Sequence, residues 1–481
     1  MLSMAPSSPC HVVQAAVAAD EEKFVFETWN KQKVDAFKGS FAVPENRKIA
    51  GSRTIAIKYV RLPATGKNGG PPIVYLSGGP GSSGIAAINY RYAMFMAMRQ
   101  HGDVIALDQR GTGASNIVPI CHSKQRIPIA REVSDRKFVE YHQEALKECL
   151  VFWAENGVDL AGYNTVQSAQ DLDALRRHLG AEKIVLWGTS YGSHLALAAL
   201  KEMDDRIARV VVSSVEGLDQ TIKLPARTDE YLGRLQAAID SQPVAKTAYP
   251  DIKALMLRVH SKLDRNPIAL KLKSKDGSKV DYLLQRHDLQ MIAGGLIADP
   301  KSAAQLLSIY RALDQGVEPM LERIPSRLLP DHLIDPGAPI SFEGMPVAMD
   351  LASGMTMARR SKVFEQSRTA VLGDYLDFTI NYDGMAPKLD LGDAFRVNPT
   401  SKVPVLVLSG TLDGRTDIKS QSEAVSKLGN VTKLTITNAG HNLFDESSSE
   451  MRETIDRFME GKAVHDATIT IALPDMAPKA L

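Results

Sequence analysis

The sequence predicts an α/β protein: a mostly parallel, doubly wound sheet with a second, mainly helical domain inserted between two of its strands. Short, nearly continuous apolar runs recur along the chain, as expected of strands buried on both faces of a parallel sheet. Amphipathic helical patterns separate these runs, and that alternation implies crossover connections. Between residues 218 and 400 the alternation lapses and helical periodicity takes over.

Residues 1–20 read as a leader or a disordered tail. The stretch 11–19 (HVVQAAVAA) is small and apolar, and Ala16-Val17-Ala18 resembles a signal-peptidase site, although no Lys or Arg precedes it. The expectation is export, periplasmic or secreted, with a cytoplasmic chain bearing a plain tail as the alternative. From 38 to 62 the text reads as a hairpin: GSFAV, a turn at Pro44-Glu45-Asn46, then the alternating, β-branched run TIAIKYVRL. Residues 66–72 (GKNGGPP) are turn material.

Strands follow at 73–76 (IVYL), 104–107 (VIAL), 184–187 (IVLW), 210–213 (VVVS), 403–408 (VPVLVL) and 434–437 (LTIT). Ala169, Leu172, Leu175 and Leu179 recur at helical spacing over 166–179, with Thr165 as the expected N-cap. Helical patterns at 228–240, 252–264, 286–297 and 301–314 fill the insertion, with a proline-rich loop at 325–346. The expected division is a core of 21–217 with 401–481, and a mainly helical cap of 218–400. Ligands bind outside the carboxyl ends of parallel strands, so a cap inserted there roofs the site.

At about 100–200 residues per domain, 481 residues make two or three structural units. A net charge of +1 excludes the basic surplus of a nucleic-acid binder, and no 18-residue apolar run exists to span a membrane as a helix. Cys10, Cys121 and Cys149 are too few for a disulfide scaffold and lack the spacing of a zinc site; no metal or other cofactor is expected.

The chemistry centres on Gly188-Thr189-Ser190-Tyr191-Gly192, between the strand IVLW and the helical run SHLALAALKEM. In that strand–turn–helix context Ser190 is a nucleophile at a strained corner, and its flanking glycines remove Cβ atoms that would clash. A serine hydroxyl needs a base to take its proton and an acid to orient that base. His194 lies one helical turn along and reads as structural, while His260, His287 and His332 fall in the cap. His441, just beyond the last apolar strand, is the expected base. Asp413 and Asp417 both qualify by position as the acid, and Asp413 is preferred.

The loop Ser77-Gly78-Gly79-Pro80-Gly81 lets a backbone N–H face a substrate carbonyl, forming an oxyanion hole with the N–H of Tyr191. The segment 108–115 (DQRGTGAS) reads as a structural turn with Arg110 paired to Asp108. Glu216, just past VVVSS, faces the cap from the sheet edge.

Together these pieces resemble the proline iminopeptidases and tripeptidyl aminopeptidases of the α/β-hydrolase superfamily. The resemblance rests on GGPG at 78–81, DQRGTGAS at 108–115, GTSYG at 188–192, GTLDGRT at 410–416, GH at 440–441 and GSFAVPENR at 39–47. It implies a metal-free serine triad of Ser190, Asp413 and His441, with oxyanion donors at Gly79 and Tyr191. Ser77 departs from the His that usually opens the family's GGPG motif. Larger exported members often carry a cysteine pair between the DQRG motif and the nucleophile, where Cys121 and Cys149 stand, and the resemblance thus implies a Cys121–Cys149 disulfide. The family cleaves residues or short peptides from free N-termini, and a bound ammonium needs carboxylate partners. Glu216 and Asp383, the latter at a position often acidic in the family, are the expected candidates. The expected activity is a serine aminopeptidase acting on a peptide or a small amide or ester. The alternatives are a carboxylesterase using the same triad and a catalytically silent binding module. No nucleic-acid or membrane partner is expected.

Overall fold

Apolar runs too short for helices and buried on both faces assemble the centre of the molecule. The computed structural model describes residues 21–66, 69–115, 117–274, 277–317, 321 and 329–478, so the leader expected at 1–20 lies outside the described residues. Its strands are β1 (Glu22–Glu27), β2 (Lys33–Pro44), β3 (Thr54–Leu62), β4 (Ile73–Leu76), β5 (Val104–Leu107), β6 (Cys121–Arg126) and β7 (Ile184–Thr189). Then come β8 (Ile207–Ser213), β9 (Ile268–Lys273), β10 (Lys279–Leu284), β11 (Pro339–Phe342), β12 (Val405–Gly410), β13 (Val431–Thr437) and β14 (Ala467–Thr470). Ten of them form one sheet in the order β1-β2-β3-β5-β4-β7-β8-β12-β13-β14. Pairing is antiparallel from β1 to β5, then parallel from β5 to β14.

The expected β2–β3 hairpin is present, with Val43 opposite Ile55. One sheet face packs on the helices Thr165–His178 and Tyr191–Met203. On the other, the Trp187 ring sits 4.7 Å from Tyr75 and 4.9 Å from Phe95, centroid to centroid. The first of those helices begins one residue earlier than expected. Asn164, not Thr165, is the N-cap, its side chain accepting from Gln167 N at 3.0 Å, while Thr165 is buried inside the first turn.

The insertion folds mainly as helices, including Pro225–Asp240, Ile252–Arg265, Arg286–Leu296, Pro300–Asp314, Gly344–Ser353 and Met357–Ser367. The β9–β10 hairpin interrupts them. The roof also takes in residues that the sequence pattern assigns to the core. β6 pairs with β11, Phe342 opposite Cys121, and a Cys121–Cys149 disulfide fastens β6 to the helix Asp135–Glu155. Among the described residues no helix is long and apolar enough to cross a membrane.

Candidate active site

β7 ends at Thr189 and the next helix begins at Tyr191, leaving Ser190 alone at the corner with φ 54° and ψ −128°. That backbone costs a non-glycine residue roughly 1–3 kcal/mol and persists only where its surroundings impose it. They do so here. A Cβ on Gly188 would lie 2.6 Å from Gly192 O, and one on Gly192 would lie 2.0 Å from Leu76 O. Ser190 N donates to Ser213 O at 3.1 Å, and its side chain makes no capping bond to the helix it opens.

The neighbouring strands deliver a carboxylate–imidazole pair to the same edge. Asp413, just past β12, is fully buried and lies 3.0 and 3.1 Å from Nδ1 of His441. Arg415 N and Thr416 N donate to it at 2.8 Å each, and Thr416 Oγ1 at 2.6 Å. Burial alone would raise the Asp413 pKa, but the charge and hydrogen bond of His441, with the side-chain and backbone hydrogen bonds from Thr416, hold it below the usual carboxylate range. An ionised carboxylate at Nδ1 assigns the ring proton there and leaves Nε2 as the acceptor.

His441 is anchored beside the serine corner. Its carbonyl accepts from Ser214 Oγ at 2.7 Å, next in the chain to the Ser213 that holds Ser190. The other candidate acid, Asp417, belongs elsewhere: it caps the helix Ile418–Ala424 and pairs with Arg234 at 2.7 Å. His194 is buried with Nδ1 3.1 Å from Gly217 O. The histidines of the insertion have other partners: His260 the Tyr310 hydroxyl, His332 the Asp288 carboxylate, and His287 both Asp288 and Asp135 of the helix Asp135–Glu155.

The glycine loop after β4 passes directly over the serine, so that a Cβ on Gly78 would sit 3.2 Å from Ser190 Cβ. Gly79 has φ 116°, open to glycine alone without strain. Tyr191 is the first residue of its helix, so its N–H has no intrahelical acceptor. Gln109 Nε2 donates to the Ser77 carbonyl at 3.3 Å, supporting the start of the loop.

The expected Arg110–Asp108 pair is absent. Asp108 accepts from Ser83 Oγ at 2.6 Å, Ile85 N at 3.0 Å and Ala114 N at 2.7 Å, fixing the exit of the glycine loop. With Asp108 occupied, the fully buried Arg110 forks onto Asp171, both bonds 2.7 Å, and donates to the carbonyls of Glu45 and Gly162.

The carboxylates expected to meet a substrate amine already hold cations. Glu216 pairs with Lys223 at 2.6 Å, and Asp383 with Arg360 at 3.3 Å. The sequence reading missed a third, Asp350. Its carboxylate has no hydrogen bond or ion pair among the described residues, and it lines a cavity with Ile222, Val347, Tyr382 and Asp383. Burial, then repulsion from Glu216 and Asp377, pushes its pKa up to about 7 against the pull of Lys223 and Arg415.

Asp350 stands on the helix that covers the glycine loop. Pro346, one turn earlier, is so close to Gly81 that a Cβ there would lie 2.6 Å from Pro346 Cγ. Met349 Sδ lies 3.0 Å from the Tyr191 hydroxyl. One signal was available in the sequence: Asp350 is the single charged residue in the helix GMPVAMDLAS.

The α/β hydrolase fold family matches residues 71–448, well over half of the chain. The chain belongs to that family. This α/β hydrolase is 30% identical over 183 residues to the serine protease Hip1 of Mycobacterium tuberculosis, covering 36% of this chain and 35% of that protein. It is 30% identical over 152 residues to the tripeptidyl aminopeptidase of Streptomyces lividans, covering 30% of this chain and 28% of the relative. The matched stretch thus spans about a third or less of these curated relatives. Among solved structures, a proline iminopeptidase-related protein from Thermus thermophilus is similar with a TM-score of 0.39 and 14% identity, over 88% of this chain and 97% of the other. An epoxide hydrolase from an endophytic Streptomyces gives a TM-score of 0.40 and 16% identity, over 90% and 99%.

Proposed function

We propose that this α/β hydrolase is a serine aminopeptidase that cleaves amide bonds near the free N-terminus of peptides through an acyl-enzyme. Ser190 Oγ attacks the scissile carbonyl while His441 Nε2 takes the hydroxyl proton, and ionised Asp413 stabilises the imidazolium. The N–H groups of Gly79 and Tyr191 receive the oxyanion, each worth about 3 kcal/mol of barrier by analogy with donor removal in other enzymes. The C–N bond breaks as His441 returns the proton to the leaving amine. Water, deprotonated by the same imidazole, then cleaves the ester and restores Ser190.

The observation that carries the aminopeptidase reading is Asp350. Glu216 and Lys223 neutralise each other, as do Asp377 and Arg415, while the Asp350 carboxylate in the same charge cluster has no ion-pair partner among the described residues. A substrate ammonium supplies that counter-ion, with Glu216 and Asp383 as nearby secondary acceptors. The names of the protease and aminopeptidase relatives support the same reading.

The test pairs aminoacyl and tripeptidyl fluorogenic amides bearing free or acetylated N-termini with a p-nitrophenyl ester, beside a Ser190→Ala control. Turnover of the free-amine amides alone, abolished by Ser190→Ala, is the expected result. Ester turnover without amide turnover, indifferent to acetylation, would replace the peptidase with a carboxylesterase using the same residues. The proposal extends to an oxidising compartment, periplasmic or extracellular, supported by the Cys121–Cys149 disulfide. Alkylation of protein taken directly from cells before any reductant checks it, since a cytoplasmic chain would react at both thiols.

A further inference from the structure

We infer that the cap residues 297–299 act as a strut that positions the catalytic loops, with Asp299 as the positioning residue for His441; the inference rests on the hydrolase reading above. This short linker joins the helices Arg286–Leu296 and Pro300–Asp314. Each of its residues accepts hydrogen bonds from a loop at the sheet edge. Ile297 O takes Gly414 N at 3.2 Å, beside the acid Asp413. Ala298 O takes His441 N itself at 2.8 Å. Asp299 takes the next residue twice, Asn442 N on Oδ1 at 3.2 Å and Asn442 Nδ2 on Oδ2 at 2.5 Å.

Two further features show that the contact is built in. Asp299 occupies the N-cap position of the helix Pro300–Asp314, where an aspartate ordinarily caps, yet its side chain makes no capping bond. It is turned to Asn442 instead. The loops meet the strut through glycines: a Cβ on Gly414 would lie 2.4 Å from Ile297 O, and one on Gly440 would lie 2.3 Å from Asp299 Oδ1 and 2.6 Å from Ala298 O. Any side chain at either position would push the strut off its loop. From the core side, Arg91 reaches Asn442 Oδ1 at 3.5 Å and Asp445 at 2.7 Å, so the histidine loop is held between core and cap. The Asp413–His441 alignment therefore depends on where the cap sits.

The experiment follows the rate at which a fluorophosphonate labels Ser190, a readout of the triad that needs no knowledge of the substrate, together with kcat and KM on the best amide. Asp299→Ala is expected to slow labelling between about tenfold and a hundredfold, the range produced by small misplacements of catalytic groups. It should lower kcat and leave KM little changed, as loss of alignment rather than of substrate binding requires. Asp299→Asn should also be slow, because its amide nitrogen meets the donor Nδ2 of Asn442. Combining it with Asn442→Asp restores a donor–acceptor pair and should recover much of the rate.

Native-rate labelling of Asp299→Ala overturns the inference. If that variant does not fold, the swap decides: a double variant no faster than the product of the two single effects overturns it. Native protein that the probe does not label overturns the hydrolase reading and this inference with it, which separates the two failures.

Discussion

Asp350, on the cap helix Gly344–Ser353, and Asp413, beside His441, are two carboxylates whose surroundings move them in opposite directions. For Asp350 the folded value lies near 7, whereas an unfolded Asp titrates near about 3.9. Between these values the folded chain binds the extra proton, so stability falls as pH rises from about 4 to about 7 and then levels. The Asp350→Asn variant should therefore gain stability relative to the native protein between pH 5 and pH 8, measured by urea denaturation. It should also lose selectivity for free over acetylated N-termini, with the larger loss on the free-amine substrates. Equal losses on both would remove Asp350 from amine recognition. Asp413 has the opposite sign: its contribution is present above its unfolded value and is lost as pH falls through the depressed folded one. In Asp413→Asn the imidazole loses the anion that fixes its tautomer, so kcat should drop by about 10³–10⁴ while the protein remains folded at pH 7. Single-turnover assays with a reactive ester check this.

Among elements, the β6–helix unit shows what a cross-link does for a segment whose own sequence barely favours a strand. β6 reads CHSKQR, with alternate residues exposed, and it pairs only with the four-residue β11. The Cys121–Cys149 disulfide closes a loop of sequence separation 28, worth about 3–4 kcal/mol in the chain-entropy account. Cys121→Ser with Cys149→Ser should lower stability by that order, and reductant on the native protein should give the same shift in urea midpoint. No difference between the oxidised and reduced midpoints would contradict it.

The same element shows where reading the sequence stops. β4, β5 and β7 are buried on both faces, so their apolar runs mark them within two residues. β1, β6 and β14 lie at edges or in the roof, largely exposed, and carry no such signature. Likewise Ser190, Asp413 and His441 sit in local motifs that can be read in a line. Asp108 and Arg110 also sit in one, but their partners are set by tertiary contacts, with Ser83 and with Asp171, which local text does not contain. Asp299 meets Asn442 across 143 residues, and nothing local announces the meeting.

At the scale of the whole molecule, cap and core are tied together at several points because the chain crosses between them repeatedly. Arg234 of the cap donates to Thr411 O at 2.9 Å and pairs with Asp417, both in the acid loop. Leu412 of that loop is part of the cap's own apolar cluster. After β14 the chain returns to the cap: Gln242 Nε2 donates to Pro474 O at 2.9 Å and Met476 N to Gln242 Oε1 at 2.8 Å. Met476 itself is fully buried in the cap cluster. Ties on this scale predict a single cooperative unfolding transition rather than a cap that melts from a surviving core. The three tryptophans make this testable, because Trp29, Trp153 and Trp187 all lie outside the insertion. Trp187 packs within the core cluster but Trp153 packs on the cap helix Gly344–Ser353, so in a Trp153→Phe background the fluorescence reports the core, while far-UV circular dichroism also counts the cap helices. Met476→Ala removes a buried side chain from the cap alone and should cost about 2–5 kcal/mol. If the two parts are one body, both signals should shift to the same lower midpoint. A dichroism midpoint that falls while the tryptophan midpoint stays at its native value would show that the cap unfolds by itself.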